Sequence, residues 1–275
     1  VPGTLFVVGT PIGHLKDVTL RALEVLQSVD RIVCEDTRVT RKLTSKYGIQ
    51  KPLESFFAGN EGHRVGAVVA RLKGGEDVAL VSDAGTPAIS DPGYLLVRAC
   101  REEGIPVVAV PGPSALAAAL SVSGLPSDRV LFLGFPPRRK GERLRLLESL
   151  AADPSTLVFY ESPRRVRAFL REALSLLPGR ECVACRELTK AFETVAPVRS
   201  PQEVEERGEL VILFAPPEKS ALPEASARQV SLERRYAQIL AEGVPPKEAM
   251  RRLARERGIS RRDVYRDIKG KGKEP

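Results

Sequence analysis

The chain has 275 residues, 43% of them hydrophobic and 5% aromatic, with a formal charge of +8. That is enough apolar matter for one large or two medium domains with cores of their own, and it excludes a disordered chain. No run approaches the roughly 18 consecutive apolar residues of a membrane helix, and the first twenty residues lack the charged-then-apolar layout of a secretory signal, so a soluble cytoplasmic protein with no membrane partner is expected.

From the amino terminus, short β-branched runs alternate with amphipathic stretches. Thr4 to Val8, Arg31 to Cys34, Val78 to Val81, Val107 to Val110 and Val130 to Leu133 read as buried strands. The first helix opens after Thr19 as cap and places Leu20, Leu23 and Leu26 on one side; others run near 38–46, 62–72, 93–103 and 114–122. Strand and helix in turn predict an α/β layer fold with a largely parallel sheet. Past Phe135 the character changes, with Pro136-Pro137 followed by Arg138, Arg139, Lys140, Arg143 and Arg145. A second set of elements follows: a strand at Thr156 to Tyr160, a helix near 164–177, and strands near 182–186, 193–198 and 209–215. The expected domains are 1–113 and 114–217, with the boundary as late as 136 if the proline pair marks it.

The prolines Pro216, Pro217 and Pro223 stand in a stretch with little apolar pattern, so 218–229 reads as a linker. Beyond it a basic helical domain is expected over 230–270. Leu232, Tyr236, Ile239 and Leu240 share one helix face, and Ala249, Met250, Leu253 and Ala254 another. A third helix opens at Ser260 with Asp263 completing a capping box and Ile259 and Val264 as its hydrophobic staple. Gly258 supplies the turn before it, which gives a helix-turn-helix outline. Residues 226–275 hold 14 Lys and Arg against 7 Asp and Glu, so nearly all of the basic excess belongs to this tail.

Four cysteines, Cys34, Cys100, Cys182 and Cys185, are too few and scattered for a disulfide framework. Cys182-Val-Ala-Cys185 has metal or redox spacing, but no second ligand pair accompanies it at finger or ribbon spacing. Its flanks read as a strand, which turns the two thiols to opposite faces and makes them core residues. No metal site is expected.

Five segments place Gly, Pro and polar residues at strand ends, where α/β folds carry their sites. They are Gly9-Thr-Pro-Ile-Gly13, Cys34-Glu-Asp-Thr-Arg38, the long run Ser82 to Gly93, Pro111-Gly-Pro-Ser-Ala115 and Arg186-Glu-Leu-Thr-Lys190. No G-x-G-x-x-G follows the first strand and there is no P-loop, which disfavours a dinucleotide or triphosphate site. A nucleophile elbow is also missing. What remains is a site of backbone turns and acidic groups, suited to a cofactor that carries its own leaving group.

In this order the motifs GTPIG, CEDTR, SDAGTPAISDPG, VPGPSA, GFPPRR, FYESPRR, RELTKAFE and GELVIL are spread across nearly all of the span 3–215. Together they resemble the tetrapyrrole methylase superfamily, and within it the bacterial branch that methylates the 2′-hydroxyl of a decoding-region cytidine in small-subunit ribosomal RNA. The sequence departs from that branch at His14, usually Asn, at Gly-Phe-Pro-Pro, usually Gly-Phe-Leu-Pro, and at Arg164, usually His.

The resemblance implies a two-domain fold with S-adenosylmethionine folded into a cleft between the domains, a 16S rRNA substrate in the assembled small subunit, and a homodimer. By motif position it carries cofactor contacts to Pro11, to Asp83, Ala84, Thr86 and Ile89, to Ser114 and Ala115, to Tyr160 or Glu161, to Leu188, and to Ala215 or Pro216. A general base would assist the 2′-hydroxyl, and the catalytic candidates are Glu35, Asp36, Lys190 and Glu193, with Asp83 beside them. For Glu35 and Asp36 a polar strand end and a helix cap weigh equally; for Lys190 the alternative is a surface ion pair. The RNA-binding candidates are Arg138, Arg139 and Lys140, then Arg164 and Arg165, and in the tail Arg261, Arg262 and Arg266, against the ordinary reading of solvated faces. Two other functions compete: a small-molecule tetrapyrrole methyltransferase, which leaves the basic tail without a purpose, and a DNA-binding regulator, which leaves the strand-end motifs unexplained.

Overall fold

The computed structural model describes residues 1–217, 232–241, 244–257, 260 and 264–265. Residues 1–217 form one compact unit built on two five-stranded sheets, and the described residues beyond 217 belong to a second unit.

The first sheet contains β1 (Leu5–Val8), β2 (Arg31–Cys34), β3 (Leu53–Ser55), β4 (Val78–Val81) and β5 (Val107–Val110) in the order β3-β2-β4-β1-β5, every neighbouring pair parallel. Helices α1 (Leu20–Ser28), α2 (Thr37–Lys46), α3 (Glu61–Lys73) and α4 (Tyr94–Glu102) connect its strands. The central strands are unbroken apolar runs because both faces are covered. On β4, Val78 and Leu80 pack with Leu72, Leu96 and Cys100, while Ala79 and Val81 pack with Leu26 and Leu43. Thr19 caps α1, its side chain accepting from the Ala22 amide. The buried stripe of that helix differs from expectation: Leu20 is 80% exposed, and Ala22, Leu26 and Val29, at i, i+4 and i+7, face the sheet. The short strand β3 has no signature in the sequence, since Leu53-Glu-Ser55 is too brief and polar to stand out, and its pairing with β2 creates it.

The second sheet contains β6 (Val130–Gly134), β7 (Thr156–Glu161), β8 (Cys182–Arg186), β9 (Thr194–Pro197) and β10 (Leu210–Phe214) in the order β6-β7-β10-β8-β9. Only β6 and β7 are parallel. On one face α6 (Lys140–Leu150) and α7 (Val166–Leu176) close a core around Phe159, Phe169 and Phe214; on the other lies α5 (Ala115–Ser123). The basic stretch after Pro137 therefore becomes a packed helix. Its Arg143 is buried, grips Glu172 with two hydrogen bonds of 2.6 and 2.9 Å, and donates to the carbonyls of Pro137 and Arg138. Cys182 lies in the core under α7 and Cys185 in the core under α5, on opposite faces as the alternation requires. Burial pushes both thiols up, Cys185 to about 11, which leaves them inert.

In the second unit α8 (Leu232–Ala241) and α9 (Pro246–Arg257) bury Ile239, Ala249, Leu253 and Ala254 against Val264, with Tyr236 and Leu240 half-buried around them. The Val264 amide donates to the Ser260 carbonyl at 3.1 Å. Arg261, Arg262 and Arg266, the capping Asp263, Ile259, Gly258 and the linker lie outside the described residues. Among the described residues no helix is long and apolar enough to cross a membrane.

Candidate active site

The turns at the carboxyl edge of the first sheet are fused into one surface. Thr10 and Gly85 exchange backbone hydrogen bonds of 2.8 and 3.1 Å, and the Thr10 hydroxyl donates to the carbonyls of Ser82 and Gly85. Gly9 and Gly112 approach so closely that a Cβ on Gly112 would stand 2.7 Å from the Gly9 carbonyl oxygen. The Thr86 hydroxyl donates to the Pro113 carbonyl, tying the long loop after β4 to the turn that starts α5.

The second sheet supplies the facing wall through Tyr160 and Glu161 at the end of β7, Leu188 after β8, and Gly208 to Val211 at the start of β10. Between these surfaces lies a cleft of about 350 Å³. The Tyr160 hydroxyl accepts the Leu116 amide at 3.1 Å, tying α5 to β7, and the His14 amide donates to the Thr189 hydroxyl oxygen at 3.0 Å, bridging the two layers. Among the described residues, four non-glycine residues have left-handed backbones: Ala88, Ser90, Glu187 and Thr189. All four sit in the two loops that meet at the cleft, where stored strain commonly accompanies function.

Asp83, Ala84, Thr86, Ile89, Ser114, Ala115, Tyr160, Glu161 and Leu188 all line this cleft. Pro11 does not; it is buried directly behind Ile12, which does. Ala215 and Pro216 also stand away from it. They follow the opposite end of β10, where the Ala215 amide donates to the Glu181 carbonyl and its own carbonyl accepts from buried Arg180.

The catalytic candidates separate by their partners. Asp36 caps α2 and clasps Arg38 at 2.6 Å; those hydrogen bonds hold its carboxyl down at about 2, so it stays a capping anion. Lys190 is gripped by Glu187 at 2.9 Å and Glu209 at 3.0 Å. Burial works against its charge, yet the two carboxylates outweigh burial and raise its pKa, which favours the ammonium form. Glu193 is exposed and accepts the Thr189 amide, bracing the left-handed turn. Glu35 is raised by burial and then by Asp83 and Asp36, although it stands behind the lining residues. Asp83 accepts the Asp36 amide at 2.9 Å and is likewise raised, chiefly by burial.

Asp91, which no sequence pattern marks as an individual residue, is a further carboxylate of the site. It lines the cleft, and burial with the neighbouring charges of Glu35 and Asp83 pushes it from 3.8 up to about 6. Phe135, Ser162, Pro163 and the Gly208-Glu209 turn also line the cleft, and the motifs alone do not assign them there. Among the described residues no cluster of His, Cys, Asp or Glu is suited to a metal.

The basic candidates divide too. Arg165 is committed to Glu161, a bidentate pair at 2.9 and 2.8 Å whose carboxylate is buried, so it is not a free phosphate ligand. Arg138, Arg139, Lys140 and Arg164 are exposed, with only Arg139 near an acidic partner, Glu142 at 3.4 Å.

Known proteins resemble this chain in sequence and fold. The sequence profile described as Tetrapyrrole (Corrin/Porphyrin) Methylases matches residues 4–202. The chain belongs to the tetrapyrrole methylase family. Within that family it is 44% identical to Ribosomal RNA small subunit methyltransferase I of Xylella fastidiosa strain Temecula1, over 96% of this chain and 98% of that protein. The protein of the same name from Thermotoga maritima is 52% identical over 70% of this chain and 86% of its own length. Among solved tetrapyrrole methylase structures, cobalt precorrin-4 methyltransferase superposes with a TM-score of 0.59 at 19% identity, covering 77% of this chain and 94% of that one, which shows the shared fold.

Proposed function

We propose that this chain transfers a methyl group from S-adenosylmethionine to the ribose 2′-oxygen of a decoding-region cytidine in 16S rRNA, acting on the small ribosomal subunit in the cytoplasm as a homodimer. The observation that carries the reading is the near full-length likeness to relatives named for methylation of small-subunit ribosomal RNA. The basic tail supports it over a tetrapyrrole substrate, since a small molecule gives such a tail no purpose.

The cleft fits the donor by its chemistry. Ser114 makes no side-chain cap on α5, so, apart from the Leu116 amide that Tyr160 takes, the first amides of that helix are available to a carboxylate such as the methionine end of the donor. Ile12, Ile89 and Leu188 give apolar wall, and Asp83 and the Ala84 backbone give polar contacts. When bound, S-adenosylmethionine supplies a methyl group activated on a sulfonium. The protein's part is to hold the acceptor oxygen in line with that group, and positioning of this kind supplies a large share of the rate. Asp91 receives the 2′-hydroxyl proton on a carboxylate oxygen; at neutral pH it is ionised and more basic than an ordinary aspartate. Lys190, held protonated between Glu187 and Glu209, braces the wall opposite the first turn, its Cγ packed on Gly13.

The test is incubation with labelled S-adenosylmethionine and, separately, assembled small subunits, naked 16S rRNA and a precorrin. Label on the subunit's rRNA, mapped to a cytidine 2′-oxygen, is the expected result. Label on the precorrin alone, or tight duplex DNA binding without transfer, overturns the reading.

A further inference from the structure

Phe135 has no structural reason to face water. It is 57% exposed yet lines the cleft, and its ring stands edge-on to Tyr160 with centroids 5.7 Å apart. The chain fixes it there from both sides. Gly134, at the end of β6, has a φ of +59°, and a Cβ in its place would come within 2.6 Å of the Ser90 hydroxyl, so glycine lets the strand turn out over the loop after β4. On the other side, Pro136 and Pro137 stiffen the backbone. The Pro136 carbonyl accepts Arg165 at 2.8 Å while Arg165 remains clamped on Glu161, and the Pro137 carbonyl accepts buried Arg143 at 3.1 Å. The aromatic ring is thus held at the mouth of the cleft by a braced loop.

Its surroundings complete a pattern. Arg138 and Lys140 follow in the same loop and helix start, and Arg164 precedes the clamping arginine; all three are exposed, and among the described residues none is paired with a carboxylate. A rigid exposed aromatic beside unpaired cations is the arrangement by which proteins take single-stranded RNA, the ring stacking on a base and the cations meeting phosphates. A ribose cannot reach a recessed site while its base stays in a helix, so an enzyme that acts on it gains from a surface that receives the unstacked base.

Building on the proposed rRNA methylation, we infer that Phe135 is the stacking platform for the base of the target nucleotide, or of its immediate neighbour, and positions the ribose at the cleft. Its role is acceptor recognition, separate from donor binding. The experiment compares the wild type with Phe135→Ala and Phe135→Trp, measuring kcat and KM for assembled small subunits and, by calorimetry, affinity for S-adenosylmethionine. Loss of the ring is expected to lower kcat/KM for subunits by roughly ten-fold or more, with donor affinity and thermal stability unchanged, and Phe135→Trp is expected to restore it to within about two-fold. Unaltered kinetics in Phe135→Ala overturn the inference, as does a parallel loss of donor affinity, which would assign the ring to the donor. Failure of the functional reading is distinct, because it shows first as absence of rRNA methylation by the wild type.

Discussion

Asp91, the proposed general base, shows how a single side chain can combine chemistry with instability. Its pKa rises from 3.8 to about 6 because burial and then Glu35 disfavour the charged form. For an acid whose folded pKa lies above its unfolded one, the folded state holds more protons in the window between them, so stability falls as pH rises from about 4 to about 6. Asp91→Asn removes that penalty. Discounted for the residue's partial contact with solvent, the variant is expected to be about 1 kcal/mol more stable than the wild type at pH 7, with the difference vanishing below pH 4; urea titrations across this range measure it. The same substitution is expected to lower kcat/KM by about 100-fold or more and to abolish the acidic limb of the pH profile near 6. A wild-type profile that is flat from about pH 5 to 7 would refute the assignment. This residue is hidden in the sequence because Ser90-Asp-Pro-Gly93 reads as a turn, and only the fold reveals that Glu35, from a different strand end, stands near it.

At the scale of elements, the site depends on turns that touch through their backbones. The Gly9–Gly112 approach brings the ends of β1 and β5 together where no side chain fits. Gly112→Ala is expected to lower stability by about 2 kcal/mol, since the clash falls on backbone atoms that cannot rotate aside. It should also weaken S-adenosylmethionine binding, because Pro113 and Ser114 follow directly; thermal melts and calorimetry read the two effects, and an alanine variant with native values of both would show that the turns can separate freely. The strands on either side are legible because burial on both faces demands continuous apolar runs, and the turns because Gly and Pro gather at strand ends. Other elements are not. Helix α6 reads as a charge run until Glu172 of α7 supplies a partner for Arg143, and Lys190 reads as a catalytic candidate or a surface ion pair until Glu209, distant in sequence, arrives from the turn before β10. Partners brought together by sheet order leave no local trace in composition or periodicity.

In the proposed function the whole molecule divides its labour by charge. The described residues that line the cleft fall within 1–217, whose two sheets have cores on both faces, whereas residues 226–275 carry 14 basic side chains against 7 acidic. α8 and α9 bury their own small cluster, with exposed Arg251 and Lys247 on their outer surfaces. In the proposed function such a unit adds affinity for polyphosphate that is largely independent of sequence and falls as salt displaces it. A chain ending at residue 217 is therefore expected to bind S-adenosylmethionine as the full chain does, because the cleft is intact. Its binding to small subunits should weaken, and the plot of log affinity against log salt should flatten by about 0.7 for each single-stranded phosphate that the tail no longer neutralises. Filter binding over a salt series, with calorimetry for the donor, measures both. An unchanged slope would remove the tail from RNA recognition and leave that task to the cations around Phe135, whereas a loss of donor affinity would mean that the two units do not work independently.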